Sequence, residues 1–331
     1  MSRPHDEPHR FTRLSTVLRQ TYGERVYKIG LRGGFTCPNR DGRLATGGCV
    51  FCASEALEAM SFRPGHTIDE QLIRGMEYVK ARHGARRFVA YYQDYTATYA
   101  PAQRLEAIYG PALRHKDVVA LALGTRPDCL DVDALVLLER VAAKKDVWVE
   151  LGLQLADDAL LAAMGRGHDV SCFERGVHAL QERGLAVCAH VIIGYPGATK
   201  EMERRTADLL RNLGVWGVKL HAFHVLKGTP LAEPYSAGEL PVLSCKEHVE
   251  RVALFLEALP PTMVIHRVTA EAARDLTLGP AWTINKMQAF DAVLDGLVAR
   301  DSWQGKALGA EAPSSLCGCR SPRAPRGRCA P

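Results

Sequence analysis

From residue 87 onward, short apolar runs alternate with longer segments in which apolar residues recur every three or four positions. "RFVAYY" precedes a helix-like stretch near 101–114, and "VVALAL" precedes "DVDALVLLERVAAKK". "VWVELGL" precedes a helix near 170–184, "LAVCAHVII" precedes "TKEMERRTADLLRNLG", and "GVWGVKLHAFHVL" follows. Short apolar runs of this kind suit parallel strands covered on both faces. Upstream, "ERVYKIGL" predicts an earlier strand and "TIDEQLIRGMEYVKARHG" the helix after it. Ser171 with Glu174 predicts an S-x-x-E capping box, and Gly184 and Gly214 stand where helices stop. These six β/α units end near residue 226. They predict an α/β chain with a parallel sheet, either open and doubly wound or curled toward a barrel. No glycine-rich dinucleotide fingerprint follows the first strand and no G-x-x-x-x-G-K-[ST] occurs, which disfavours the nucleotide-binding versions.

Residues 228–245 are rich in turn formers and mark a boundary. A further helix, a strand "TMVIHRV" and a helix from about 285 to 300 follow. The chain then divides into a basic N-terminal segment (1–25), a barrel (26–227), a small C-terminal α/β extension (228–308) and a basic, Pro-rich tail (309–331) of disordered composition.

Charge sharpens this division. The net charge is +5, and both ends are basic: residues 1–33 hold seven Arg or Lys against three acids, residues 302–331 five against one. Basic ends suit a polyanion such as RNA, or simply solubility. No run approaches the roughly 18–20 apolar residues that span a membrane. The polar N-terminus lacks the apolar core of a secretory signal. The expectation is a cytoplasmic chain with no membrane partner. There its ten cysteines stay reduced, and a tight group of them binds metal rather than forming a disulfide.

Such a group exists. "CPNRDGRLATGGCVFC" places Cys37, Cys49 and Cys52 in a C-x11-C-x2-C pattern inside turn-forming sequence. A structural zinc site wants four ligands, and no second pair lies within reach. Three thiolates instead suit a [4Fe–4S] cluster that keeps one iron open to a small molecule. A structural zinc loop is the alternative.

This spacing, with Phe51 just before the third cysteine, resembles the radical S-adenosylmethionine (SAM) enzymes. More narrowly, "GFTCPNRDG", "YYQDYTATYAP", "LGTRPDCL", "VELGLQ", "GRGHD", "VIIGYPGAT" and "KLHAFHVLKGTPL" are similar to a bacterial radical SAM subgroup close to the elongator catalytic-subunit family. The resemblance spans about residues 10–308. It implies a partial (β/α)6 TIM-like barrel, and a [4Fe–4S] cluster held by Cys37, Cys49 and Cys52. SAM would chelate the fourth iron, and one electron would cleave its C–S bond. The resemblance also implies an electron donor such as flavodoxin or ferredoxin, and tRNA as substrate, with the wobble uridine as target. Two rivals stay open: radical chemistry on a small metabolite or peptide, and a non-catalytic zinc-binding RNA adaptor.

The resemblance, together with position along the predicted strands, suggests roles for further residues. Glu150 would accept hydrogen bonds from the SAM ribose, and Gln154 would reach the same ligand. Gln93, with Asp94, stands where many radical SAM enzymes carry Gly-Gly-Glu, and would take the methionyl amine. Arg166 would pair with the SAM carboxylate. Gly194, with Gly197, would let the backbone approach the adenine, or serve a tight turn around Pro196. His168 is a candidate proton donor or a helix-terminal residue, and Cys129 a candidate hydrogen-atom donor or a buried thiol. Arg126 and Asp128 are active-site charges or a loop-ordering pair. Tyr92, Tyr95 and Tyr99 pack the barrel mouth or stack on a base. His221 and His224 are read as an inward-facing pair that lines the cavity or as satisfied core histidines. The tail "CGCR" has no frame for a site.

Overall fold

The computed structural model describes residues 9–53, 64–269 and 274–313. The apolar runs form β1 (Val26–Leu31), β2 (Arg87–Tyr92), β3 (Val118–Thr125), β4 (Asp146–Gln154), β5 (Ala186–Ile193) and β6 (Gly217–Ala222). They pair in chain order, and every pairing is parallel. Beyond them, β7 (Val225–Leu226) pairs antiparallel with β9 (Thr277–Gly279), while β8 (Val264–Arg267) joins β6 in parallel. The sheet therefore has seven strands rather than six. The seventh comes from the segment expected to form a C-terminal extension.

Each strand alternates between two surroundings, as a period of two requires. In β4, Val147, Val149, Leu151 and Leu153 belong to the large core beneath the helices. Trp148, Glu150, Gly152 and Gln154 face the other way, into the concave side. The helices that follow β1 to β5 are α2 (Ile68–His83), α3 (Ala102–Arg114), α4 (Val132–Ala142), the pair α5 (Asp158–Ala163) and α6 (Val170–Gln181), and α7 (Lys200–Asn212). The sheet is strongly curled. Tyr91 Oη on β2 and Lys219 Nζ on β6 are 2.7 Å apart, although four strand spacings would separate them by about 19 Å in a flat sheet. The result is a half-barrel of the partial TIM-like kind.

The N-terminal expectation needs correction. Within the segment read as merely basic, Leu14–Tyr22 forms a helix, α1, ended by Gly23 at φ +79°. Leu14, Val17 and Leu18 lie at i, i+3 and i+4, one face of a helix. They pack against Val89, Trp148, Cys188 and Val264 inside the half-barrel. The helix touches both edge strands, β1 and β8, and closes the amino-terminal end.

The capping box at Ser171 is also corrected. The cap of α6 is Asp169, whose carboxylate accepts the Cys172 N–H at 2.7 Å. Ser171 sits one residue inside the helix. Gly184 and Gly214 do follow their helices with φ of +70° and +60°. Among the described residues no helix is long and apolar enough to cross a membrane. The tail cysteines, and the tail arginines from Arg320 on, lie outside the described residues.

Candidate functional site: a cysteine-lined cavity in the half-barrel

A cavity of about 360 Å³ opens where β2 to β6 and β8 end. In barrels of this kind, that face carries the chemistry. Cys37, Cys49 and Cys52 all line it. Their loop is held from several sides. Asp94 accepts the N–H groups of Gly33, Gly34 and Phe35 at 3.0, 3.0 and 3.2 Å, and so fixes the approach to Cys37. Burial pushes the Asp94 carboxyl upward despite these bonds. Val50 N–H reaches the Met164 carbonyl, and Arg40 donates to the Cys52 carbonyl at 2.6 Å.

The sulfurs sit among cations. Arg166 Nη1 and Asn39 Nδ2 approach Cys49 Sγ at 3.5 and 3.3 Å. Burial opposes ionisation of Cys49, but Arg166, Asn39 and Arg126 outweigh it, and the thiol ends below its ordinary value. Cys52 goes the other way: its burial outweighs the Arg40 contact and raises its pKa. Arg126 makes a two-pronged pair with Asp128, 2.9 Å at each prong, and places Nη1 4.0 Å from Cys37 Sγ. Among the described residues no three His, Cys, Asp or Glu side chains converge on the position of a single metal ion. All three cysteines instead line one cavity. Three thiols there, with Arg40, Arg126 and Arg166 close by, fit a multi-iron cluster, which thiolates hold.

Several expected residues meet here. Phe51, Gln93, Gln154 and Arg166 all line the cavity. Gln154 is held at φ +74°, at the register shift that ends β4. Left-handed backbone at a non-glycine residue is costly and clusters at functional sites. Gly152 makes room for this corner: a Cβ there would meet Arg166 Nη2 and Gln154 Nε2, each at 2.9 Å. His221 and His224 both line the cavity, although an odd spacing would separate them along a strand. The chain leaves β6 after Ala222, so the strand period stops applying between them.

Most other expected residues do not. Gly194 is outside the described lining; its φ of +82° makes a turn, and Leu243 occupies the space at its Cα. Cys129 is buried in the turn after β3, where burial pushes its thiol up to about 12. His168 lies behind Arg166, which donates to its Nε2 at 3.2 Å, and burial with that guanidinium lowers its pKa to about 4. With its Nε2 accepting from Arg166 and its Nδ1 against the Asp169 carbonyl, it orients Arg166. Tyr92 is buried on the outer side against Phe35 and Tyr109. Tyr95 lines the cavity, with Arg40 over its ring.

Glu150 does not present a free carboxylate at the strand end. It is 0% exposed and lies one layer below the cysteines. Oε1 takes Lys28 at 2.6 Å, and Oε2 takes Lys219 at 2.7 Å and His190 at 2.8 Å. Burial alone would raise its pKa, but the two lysines hold it well below the usual carboxylate range. Sequence reasoning missed Lys28, Lys219, Asn39 and Arg40. A lysine in the middle of "VYKIGL" and another in "GVKLHA", each breaking an apolar strand, were the available signals for the first two.

The Radical SAM superfamily profile matches residues 39–210, and a Radical_SAM C-terminal domain profile matches residues 215–298. The chain belongs to the radical SAM superfamily and is an enzyme of that class. It is 38% identical over 301 residues to the Bacillus subtilis "Uncharacterized protein YtqA", which covers 90% of this chain and 92% of that one. A "tRNA uridine(34) acetyltransferase" of Methanocaldococcus infernus is 28% identical over 158 residues, 45% of this chain and 28% of that protein. The solved archaeal Methanocaldococcus infernus Elp3 shares the fold with a TM-score of 0.65 at 17% identity, over 84% of this chain and 64% of that one. The family implies SAM and a [4Fe–4S] cluster as cofactors.

Proposed function

We propose that Cys37, Cys49 and Cys52 hold the [4Fe–4S] cluster, that SAM binds beside it in the same cavity, and that the substrate is a tRNA presenting its wobble uridine at the barrel mouth. The observation that carries this reading is the convergence of three thiols, with Arg40, Arg126 and Arg166 among them, on one cavity at the carboxyl ends of the strands.

A cluster held by Cys37, Cys49 and Cys52 would supply the electron for breaking the carbon–sulfur bond of SAM. The protein's own residues do the rest. Arg166 and Asn39 favour the Cys49 thiolate, the form a metal requires. Arg40 and Arg126 offset negative charge near Cys52 and Cys37. Gln93 and Gln154 offer amides to the polar groups of SAM, while Phe51 gives the site an apolar wall. Glu150 orders the lysines beneath SAM.

The RNA part rests on two supports. One is the name of the distant relative, a tRNA uridine(34) acetyltransferase. The other is the rim, where Arg40 lies over Tyr95 and Arg43 over Tyr99. Cationic and aromatic side chains together bind nucleic-acid backbone and stack on bases. Two of the seven basic residues among positions 1–33 are already paired, Arg10 with Asp301 and Lys28, on β1, with Glu150.

Anaerobic reconstitution tests the first part. It should give about four irons per chain and a protein that cleaves SAM to methionine and 5′-deoxyadenosine. A colourless, zinc-replete protein refutes it. tRNA binding by the SAM-loaded enzyme at several salt concentrations tests the second. Affinity should fall by roughly 0.7–0.9 log units per log unit of salt for each phosphate contact, and deleting residues 312–331 should flatten that slope. An enzyme that cleaves SAM but binds no tRNA favours a small-molecule or peptide substrate.

A further inference from the structure

The inside of this half-barrel carries charge where its packing calls for none. The layer next to α1 is apolar, and the layer above it holds Lys28, Glu150 and Lys219 from three different strands. A buried ion group of this kind is seldom more stable than an apolar layer of the same shape. The described residues lining the cavity include five basic side chains and one carboxylate, Glu150. Arg40, Arg126 and Arg166 belong to the cysteine level, whereas Lys219 and Arg267 lie at the floor. Glu150 shares its single charge between Lys28 and Lys219, so this trio carries one positive charge in excess.

Lys219 also has capacity left over. Its ammonium donates to Tyr91 Oη and Glu150 Oε2, each at 2.7 Å. An ammonium has three donors, and among the described residues the third meets no protein acceptor. The side chain is only 9% exposed and forms part of the cavity wall. Beside it stand His190 and His221, both kept neutral, first by burial and then by their cationic neighbours. Arg267 Nη2 donates to His221 at 2.6 Å.

We propose that this floor is a second binding subsite, with Lys219 and Arg267 as anchors, for the carboxylate or phosphoryl group of a small substrate or co-substrate. Depth excludes a polynucleotide backbone, because the strands wall the floor and α1 closes the barrel below it. The anion must arrive on a small molecule. The proposal rests on the reading that SAM is cleaved in this cavity, and it is independent of the RNA reading.

Reconstituted, SAM-loaded protein is titrated with glutarate and, separately, with inorganic phosphate, and the heat of binding is followed. Iron content and SAM affinity are measured first on each preparation. At least one probe should bind with a Kd of about a millimolar or tighter. Lys219→Met should weaken that binding at least tenfold, and Lys219→Arg should restore most of it. Binding of glutarate alone supports a carboxylate ligand, and of phosphate alone a phosphoryl ligand. No binding of either probe to the native protein overturns the subsite, as does unchanged affinity in Lys219→Met. Should Lys219→Met lose its iron, Arg267→Gln is judged by the same criterion. Native protein that holds no cluster would strike the underlying reading instead of the subsite.

Discussion

The two ends of the same half-barrel are built from neighbouring positions on the same strands, and they differ completely. At the amino-terminal end, Trp148 lies against Leu14, Val17 and Leu18 in an apolar plug. Two residues along β4, Glu150 binds two lysines. Two further, Gly152 gives way to Arg166, and Gln154 takes a strained backbone. The inward positions therefore run from apolar to ionic to ligand-facing along one strand. Parallel strands make this sorting possible, because every one of them points its carboxyl end at the same loops. Stability and chemistry are thus separated by about three residue pairs, roughly 20 Å of strand.

Single substitutions test this separation, beginning with the largest effect. Changing any one of Cys37, Cys49 or Cys52 to Ala should reduce reconstituted iron from about four per chain to nearly none and abolish SAM cleavage. Elemental analysis and product chromatography read both. Trp148→Ala, at the opposite end, should cost about 3–5 kcal/mol in urea unfolding, yet leave the folded protein able to take up iron. Iron loss at unchanged stability in that variant would erase the distinction between the two ends.

Asp94→Ala removes the acceptor of three loop N–H groups and should cost about 1–3 kcal/mol. Because those groups lead to Cys37, its cluster should also be lost faster to a chelator than that of the native protein. Asp169→Ala removes a helix cap and should cost about 1 kcal/mol, whereas Ser171→Ala should change stability by no more than about 0.5 kcal/mol. Equal effects at 169 and 171 would reinstate the capping box read from sequence.

The sequence made the sheet legible because its strands are apolar runs of the length that parallel pairing requires. It also made the cysteine loop legible, because C-x11-C-x2-C is a local pattern. What stayed hidden was non-local. Lys28 and Lys219 are 191 positions apart, and nothing in either neighbourhood announces that Glu150 lies between them. For the same reason Glu150 read as a strand-end carboxylate free for a ribose. For Gly194 the approach to adenine and the tight turn are not separable in sequence, because a positive-φ turn beside a ligand and one beside Leu243 look alike there. Helix α1 was legible but overlooked. Its i, i+3, i+4 apolar face was masked by the arginines around it.

The central claim is that the three thiols hold a cluster with one iron open to SAM. Electron paramagnetic resonance of the reduced, reconstituted protein, recorded with and without SAM, tests it most directly. A [4Fe–4S] signal that shifts when SAM is added, and that is missing from Cys49→Ala, is the predicted result. A signal indifferent to SAM, or a protein that takes up zinc and shows no signal, would contradict it.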